Sequence, residues 1–290
     1  MRSVRAIARW WAAGLAALAA PILPAAGEDK ASETRPGQGA AIVVDHRCLD
    51  VAKIPAAAID KAKRELRVAY WHTSHGSQVV SGMRAMADAR FAFDPAGKGG
   101  ALTLVEWPGD LGGDGDSKWA QATRERLRGS DADKNVVVWS WCWGVGCNTE
   151  TGIRGYLDEM KKLEAEFPKV AFVRMTGHVN GSGVDGVLNR RNEQIRQGCK
   201  EAKAVLFDFA DVESFDPDGN SFLEKGATED CSYLKPDGAK GNWALEWIAR
   251  HPDHGWKLPS SAAHTQPLNG AMKGRAFWWL LARLAGWNGP

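Results

Sequence analysis

Five short hydrophobic segments alternate with amphipathic segments along most of this 290-residue chain, and this alternation constrains the fold more than any other feature. Each hydrophobic segment has the length and composition of a buried strand. The predicted strands are residues 66–71, 102–105, 135–141, 170–175 and 204–209. The predicted helices are residues 77–89, 118–127, 153–167, 185–202, 242–250 and 272–284. Alternation of this kind predicts a three-layer, doubly wound α/β sandwich with a central parallel sheet of about five strands, as in flavodoxin-like folds. Residues 211–265 break the alternation, and we expect them to form an elaborated loop near the functional face.

The first 26 residues have the composition of a secretory signal peptide. Three arginines precede an apolar run over residues 10–20, and small residues follow up to Ala26. The apolar run is too short to favour a membrane span. We therefore expect cleavage near Ala26, a flexible leader over residues 27–41 and one α/β domain over residues 42–290. These features predict an exported protein, secreted or periplasmic, with no stable membrane anchor after cleavage.

Charge and cysteine content narrow the classes of partner. The chain has 37 basic and 35 acidic residues, a net charge of +2 that offers no electrostatic footprint for nucleic acid. Its five cysteines are an odd number, so at least one thiol stays free or pairs between chains. Cys142 and Cys147 are close enough in sequence to bridge a short loop. No pair of cysteines has the two-residue spacing of a zinc knuckle, and we expect neither a metal nor a cofactor.

Polar residues follow every predicted strand. In a parallel sheet the carboxyl ends of the strands meet at one edge, and ligands bind there. His72, Ser74, His75 and Gln78 follow the first strand. Those after the other strands are Gly112 and Gly113, then Cys142 and Asn148, then His178, and finally Asp208, Asp211 and Glu213. The sequence therefore predicts a functional site at this edge.

The segment that carries Ser74 resembles the first block of SGNH (GDSL-type) hydrolases, in which the nucleophilic Ser follows the first strand and opens the first helix. The segments HTSHGSQ (72–78), MTGH (175–178), RNEQIR (191–196) and DFADVE (208–213) are similar to those of an exported, mostly uncharacterised bacterial branch of that superfamily. Two departures are evident. The third strand is not followed by the family's Gly-x-Asn-Asp, and Ser261 stands three residues before His264 where the family has Asp.

The resemblance implies an ester hydrolase in which Ser74 attacks the acyl carbon and His264 is the general base. Asp211 is the predicted acid of the triad; Asp208, Asp237 or a dyad without an acid are the alternatives, and His178 and His75 are alternative bases. The Ser74 amide, Gly112 or Gly113, and Asn148 are expected to hold the oxyanion. The expected substrate-binding residues are His72, His75, Gln78, Trp107, Trp141, His178 and Asp208.

Fourteen tryptophans and the predicted export favour a carbohydrate, or another small ester, as the substrate. The leading prediction is therefore a serine esterase that acts on an acylated carbohydrate. Three other functions stay open at this point. Histidines 72, 75 and 178 could bind a metal with Asp208 or Asp211. Asp211 and Glu213 could cleave a glycosidic bond. A non-catalytic protein could bind sugar on Trp71, Trp107, Trp141 and Trp143.

Overall fold

The computed structural model describes residues 35–39 and 41–290. The predicted signal peptide, and residues 27–34 and 40 of the predicted leader, lie outside the described residues. Within the described part of the chain, no helix combines the length and hydrophobicity needed to cross a bilayer.

A seven-stranded parallel sheet forms the centre of the molecule. The strands in chain order are β1 (Ile42–Val44), β2 (Arg67–His72), β3 (Phe93–Asp94), β4 (Leu102–Pro108), β5 (Val136–Trp139), β6 (Ala171–Met175) and β7 (Val205–Phe207). Their order across the sheet is β1-β7-β6-β5-β2-β4-β3, and each neighbouring pair is parallel. The predicted α/β class and parallel sheet are confirmed. All five predicted strands are present, and the order β4-β2-β5-β6-β7 is the flavodoxin-like one.

The strand count differs from the prediction because both edge strands are very short. β1 has three residues and β3 has two, which is less than the four to eight residues on which a pattern can be recognised. The predicted fifth strand also ends early, since residues 209–214 turn into a short helix.

Helices cover the sheet in two groups. The helices in chain order are α1 (Ala56–Glu65), α2 (Ser74–Met86), α3 (Lys118–Arg128), α4 (Glu150–Glu166), α5 (Val187–Ala202), α6 (Phe209–Ser214), α7 (Trp243–Arg250) and α8 (Pro267–Leu284). Helices α1, α2, α6 and α8 pack together, whereas α3, α4 and α5 form the second group. The helix α1 was not predicted, and α2 begins at Ser74 rather than at residue 77.

The closest packing joins α2 to α8, and glycine makes it possible. A Cβ atom on Gly82 would overlap the backbone of Gly270, and one on Gly274 would overlap the backbone of Gly82 and Met83. Because no side chain separates the two backbones, α8 holds α2 firmly against the sheet. The amino terminus of α2 is therefore fixed at the carboxyl edge of β2.

The segment between α6 and α8 carries a two-stranded antiparallel hairpin, β8 (Ser232–Leu234) and β9 (Lys240–Asn242), followed by α7. Thr228 and Asn180 form an isolated bridge that ties this segment to the loop after β6. Glu229 is thereby brought to the carboxyl edge of the sheet, where the functional residues lie.

Candidate active site

The turn from β2 into α2 brings backbone and side chains close together. A Cβ atom on Gly76 would overlap the side chains of His72, Ser140 and Tyr70. The Tyr70 hydroxyl donates to the Gly76 carbonyl at 3.1 Å. Asp110, in the loop after β4, accepts from the Thr73 amide at 3.0 Å and also from its hydroxyl. Ser74 therefore opens a helix whose start is anchored to two neighbouring strands.

Three imidazole rings stack at this edge. His75 is buried, with 4% of its surface exposed. Its ring lies 12° from parallel to that of His178, with the centroids 4.4 Å apart, and 15° from parallel to that of His264, with the centroids 4.7 Å apart. His264 holds a left-handed backbone conformation, with φ of 62°. Strained backbone of this kind persists where the surroundings demand it.

His75 also forms hydrogen bonds with a carboxylate and a thiol. Its Nε2 lies 2.5 Å from Glu229 Oε2, and its Nδ1 lies 3.3 Å from Cys142 Sγ. A carboxylate only accepts hydrogen bonds, so Nε2 carries the proton, and the lone pair of Nδ1 faces the sulfur. Ser74 Oγ lies 3.4 Å from the same sulfur. The arrangement has the nucleophile–base–carboxylate order of a catalytic triad.

His75 is neutral over the physiological range. Burial, together with the neighbouring His178, lowers the pKa of His75 to about 3. A neutral imidazole can accept a proton from a thiol or a hydroxyl, whereas an imidazolium cannot. The site therefore holds its base in the form that nucleophile activation requires.

The same residues also form a potential metal-binding group. His75, His178 and Glu229 each offer one ligand atom, and these atoms lie within 4.8 Å of one another. Zn²⁺ accepts such a set of donors. However, the lone pair of a ring nitrogen lies in the plane of the ring, and the two planes are within 12° of parallel. Stacked rings direct these lone pairs side by side rather than at one ion, so the geometry fits proton transfer better than chelation.

The two main catalytic residues predicted from the sequence both lie at this cluster. Ser74 is half-buried at the start of α2, and His264 is exposed and stacked on His75. Among the hydrogen bonds of the described residues, none joins Ser74 to His264. The imidazole bonded to a potential nucleophile is instead that of His75, the alternative base.

The predicted acid, Asp211, lies in a different cluster. Its Oδ1 is 2.6 Å from Nδ1 of His46, which follows β1, and it also accepts from the His46 amide at 2.8 Å. Although burial opposes the effect, these hydrogen bonds hold the pKa of Asp211 below its usual value. With Asp45 the two residues form a second potential metal-binding group. Asp211 is thus committed to His46, and Glu229 occupies the position of the carboxylate beside the base.

Asp208 and Gln78 have structural partners rather than free polar atoms. Asp208 forms a two-point ion pair with Arg196, at 2.6 and 2.7 Å, and also accepts from the Thr176 hydroxyl at 2.9 Å. The Gln78 amide donates to the Ala263 carbonyl at 2.6 Å. Both side chains hold secondary elements together and leave no group directed at a ligand.

Glu213 is fully buried, which argues against glycosidic cleavage by the Asp211–Glu213 pair. Its Oε1 lies 2.7 Å from Nζ of Lys273, and its Oε2 accepts from the Val179 amide at 2.7 Å. Neither Glu213 nor Lys273 exposes any surface. Since burial lowers the pKa of Lys273, the ion pair is what keeps both charges tolerable in the core.

The residues predicted to hold the oxyanion, Asn148 and Gly112 or Gly113, differ in their surroundings. The Asn148 side chain is buried, and its amide donates to the carbonyls of Gly144 at 2.6 Å and Gly112 at 3.3 Å. Both donors are therefore occupied. A Cβ atom on Gly112 would overlap Asp116, whereas a Cβ atom on Gly113 would have nothing within 4 Å. The first turn of a helix leaves its N–H groups without helical partners, and Ser74 is the first residue of α2, so the amides at the start of α2 are free to serve as donors beside Ser74.

Most of the candidate tryptophan platforms are covered. Trp71 stacks on Trp139 in the core, and Trp141, 3% exposed, donates to the Met175 carbonyl at 2.9 Å. The Trp107 ring lies under the Arg126 guanidinium at 3.4 Å. Of the tryptophans that the structure describes, Trp143 alone is classed as exposed, with 71% of its surface accessible. It directly follows Cys142.

His72 lies beside the cluster and not in it. Its Nε2 is 3.0 Å from Glu106, and Glu106 also bonds Arg84. This hydrogen bond with His72 lowers the pKa of Glu106.

Neither Cys142 nor Glu229 was predicted from the sequence to act in the site. The position of Cys142 directly after the third predicted strand was a usable signal, because strand ends converge. Glu229 lies 154 residues from His75 in an irregular segment, and no local pattern distinguishes it.

No protein-family model matches the chain, and no curated protein matches it. A solved structure of a mutant acetyl-xylooligosaccharide esterase from Geobacillus is similar to 77% of this chain and 95% of its own, with 11% identity and a TM-score of 0.38. A similarity of this size establishes neither a shared family nor a shared activity.

Proposed function

We propose that this protein is an SGNH-type hydrolase that cleaves an acyl ester at the edge formed by Ser74, Cys142, His75 and Glu229. The observation that carries the proposal is the pair of contacts made by His75, one to a carboxylate and one to a thiol. A hydrogen-bonded base beside a nucleophile at a helix start is the arrangement that acyl transfer requires.

The reaction uses the site as follows. His75 takes the proton of the attacking group, and Glu229 stabilises the imidazolium that forms. The N–H groups of the first turn of α2 lie where the positive end of the helix dipole favours an oxyanion. His178 and His264 stack on both sides of the acceptor ring, and they shield it from bulk water.

We propose an acylated carbohydrate as the substrate, and a site of action outside the cytoplasm. Trp143 supports the carbohydrate assignment, because its indole is 71% exposed and the residue directly follows Cys142 in the chain. Trp is highly buried on average, and the exposure of Trp143 leaves a flat apolar face available to stack on a sugar ring. The composition of residues 1–26 supports the assignment of location.

Hydrolysis of a short-chain aryl acetate by the purified protein tests the proposed reaction. The variants are His75→Asn and Glu229→Gln, with Glu224→Gln as the matched control, since Glu224 is an exposed glutamate in the same segment. We expect His75→Asn to lower kcat by about 10²-fold or more, because a general base contributes that much. Glu224→Gln and a chelator should leave the rate unchanged.

Two results would contradict the proposal. Absence of hydrolysis of both aryl and saccharide acetates by the wild type would remove the function. Loss of activity with the chelator and its recovery with Zn²⁺ would show that His75, His178 and Glu229 bind a metal.

The saccharide assignment has its own measurement. We compare kcat/KM for an acetylated oligosaccharide and for ethyl acetate in Trp143→Ala, with Leu245→Ala as the control for loss of an exposed apolar side chain. Trp143→Ala should lower kcat/KM for the oligosaccharide alone. An equal effect on both esters would refute stacking on the sugar.

A further inference from the structure

We infer that the Cys142 thiol, and not the Ser74 hydroxyl, is the nucleophile that forms the acyl intermediate. This inference rests on the proposed function and specifies its mechanism. It assigns a residue role that neither the family resemblance nor the pattern of strands and helices predicts.

Distance to the base distinguishes the two candidates. Cys142 Sγ lies 3.3 Å from His75 Nδ1, within the range of a hydrogen bond to sulfur. The polar contacts of Ser74 Oγ among the described residues include Cys142 Sγ at 3.4 Å and no imidazole nitrogen. A hydroxyl without a neighbouring base is a poor nucleophile, whereas a thiol is intrinsically reactive and needs less activation.

The surroundings of Cys142 also suit a reactive thiol. Its side chain is half-buried, so a substrate can reach it, whereas Cys48, Cys199 and Cys231 are buried. Burial raises the pKa of each of these three thiols, that of Cys48 to about 11 and those of the other two to about 12. Cys142 alone of the five cysteines is bonded to an imidazole that is itself bonded to a carboxylate. The start of α2 adds a favourable dipole for a thiolate.

The reaction proceeds through a thioester on Cys142. The Cys142 S–H proton moves to His75 Nδ1 as the sulfur attacks the acyl carbon, and the carbonyl oxygen becomes an oxyanion. Collapse of the tetrahedral intermediate breaks the ester C–O bond, and the leaving alkoxide takes the proton from His75. Water then attacks the thioester and gives its proton to His75. The second collapse releases the carboxylic acid, and the thiolate recovers the proton.

Ser74 is a positioning residue in this mechanism. Its hydroxyl, 3.4 Å from the sulfur, donates to the thiolate that forms on proton transfer. A thiolate 3.3 Å from the ring also favours the imidazolium through its opposite charge, so the buried His75 can accept a proton that it does not bind in the resting state.

Iodoacetamide alkylation tests the inference apart from turnover. Cys147 in the same protein is the internal control, because it is exposed and lies five residues away in the same segment between β5 and α4. Peptide mass mapping gives the alkylation rate at each site. We expect His75→Gln to slow alkylation of Cys142 by about tenfold, because the thiol loses its proton acceptor. The alkylation rate of Cys147 should be unchanged. Glu229→Gln should also slow the alkylation of Cys142, while it preserves the shape of the site.

The acyl intermediate gives the second readout. The aryl acetate reaction is quenched in acid, and the acetylated peptide is identified by mass. We expect acetyl on Cys142 in the wild type, in Ser74→Ala and in Cys147→Ser. Cys142→Ala should lower kcat by about 10³-fold or more, as removal of a nucleophile does in other hydrolases. Cys147→Ser should keep the wild-type rate.

The outcomes separate the two proposals. Acetyl on Ser74, with activity retained in Cys142→Ala, overturns the inference and leaves ester hydrolysis intact. Equal alkylation of Cys142 in the wild type and in His75→Gln also overturns it. A Cys142 whose alkylation depends on His75, in a protein that hydrolyses no ester, supports the reactive triad and removes the proposed substrate class.

Discussion

Replacement of Lys273 by Met tests how the core supports the active edge. Lys273 and Glu213 expose no surface, and Nζ lies 2.7 Å from Oε1. Met has similar length and no charge, so the substitution removes the cation without leaving a large cavity. Glu213 then keeps only the Val179 amide at 2.7 Å and the Asn269 amide at 3.4 Å. A buried carboxylate without its cation is strongly destabilising.

We expect Lys273→Met to lower the free energy of unfolding by about 3–5 kcal/mol, the cost of breaking a buried ion pair. At roughly 2–4 °C per kcal/mol for a domain of this size, Tm falls by about 6–20 °C. The double variant Lys273→Met/Glu213→Gln should recover most of this loss, because no uncompensated charge remains. Chemical denaturation of the four proteins in the cycle, followed by circular dichroism, gives the coupling energy.

A surface pair provides the control. Lys161 and Asp158 lie 3.5 Å apart on α4, and each is about three-fifths exposed. Lys161→Met should change stability by less than about 1 kcal/mol, since solvent screens exposed ion pairs. If Lys273→Met lowered the free energy of unfolding by as little as Lys161→Met, the reasoning would be refuted. A double variant no more stable than Lys273→Met would also refute it, because the cost would then come from packing, or from the buried Gln78 oxygen that loses its Lys273 donor, and not from the stranded carboxylate.

Two further predictions concern backbone contact and protonation. Gly274→Ala should destabilise the protein by about 1–3 kcal/mol, because a methyl group there overlaps the backbone of α2. Gly155→Ala, where a methyl group meets open space on α4, should stabilise the protein by about 0.5–1 kcal/mol. Equal shifts of Tm for the two variants would contradict this prediction. The pKa of His75 is about 3 in the folded protein and about 6.5 in an unfolded chain, so between these values the unfolded state binds a proton that the folded state does not. The resulting stability is fully present above pH 6.5 and declines by about 1.4 kcal/mol per unit as the pH falls toward 3. Denaturation curves of the wild type and His75→Gln from pH 7 to pH 4 isolate this contribution, because the neighbouring ionisable groups are present in both proteins: His178, His264, Glu229, Glu213 and Lys273. Parallel pH dependences of the free energy of unfolding would show that His75 is not held neutral.

The local pattern of the sequence was sufficient for the architecture. Buried strands such as 66–71 and 135–141 are long and rich in β-branched or aromatic residues, and parallel strands must align their carboxyl ends. The edge that carries Ser74, His75 and His178 could therefore be located without coordinates. Elements too short to show a pattern, such as the two-residue β3, could not be located.

The chemistry of the site was decided by tertiary structure. The sequence indicated that Asp211, His264 and Ser74 would meet at one edge, but the loop conformations place Asp211 on His46 and leave His75 between Cys142 and Glu229. Contacts between residues 67 and 154 positions apart depend on how loops fold over the sheet, and no periodicity encodes that folding. Periodicity specifies which face of each element is buried. The contacts between side chains at the carboxyl edge of the sheet depend on the packing of the loops, which only the complete fold determines.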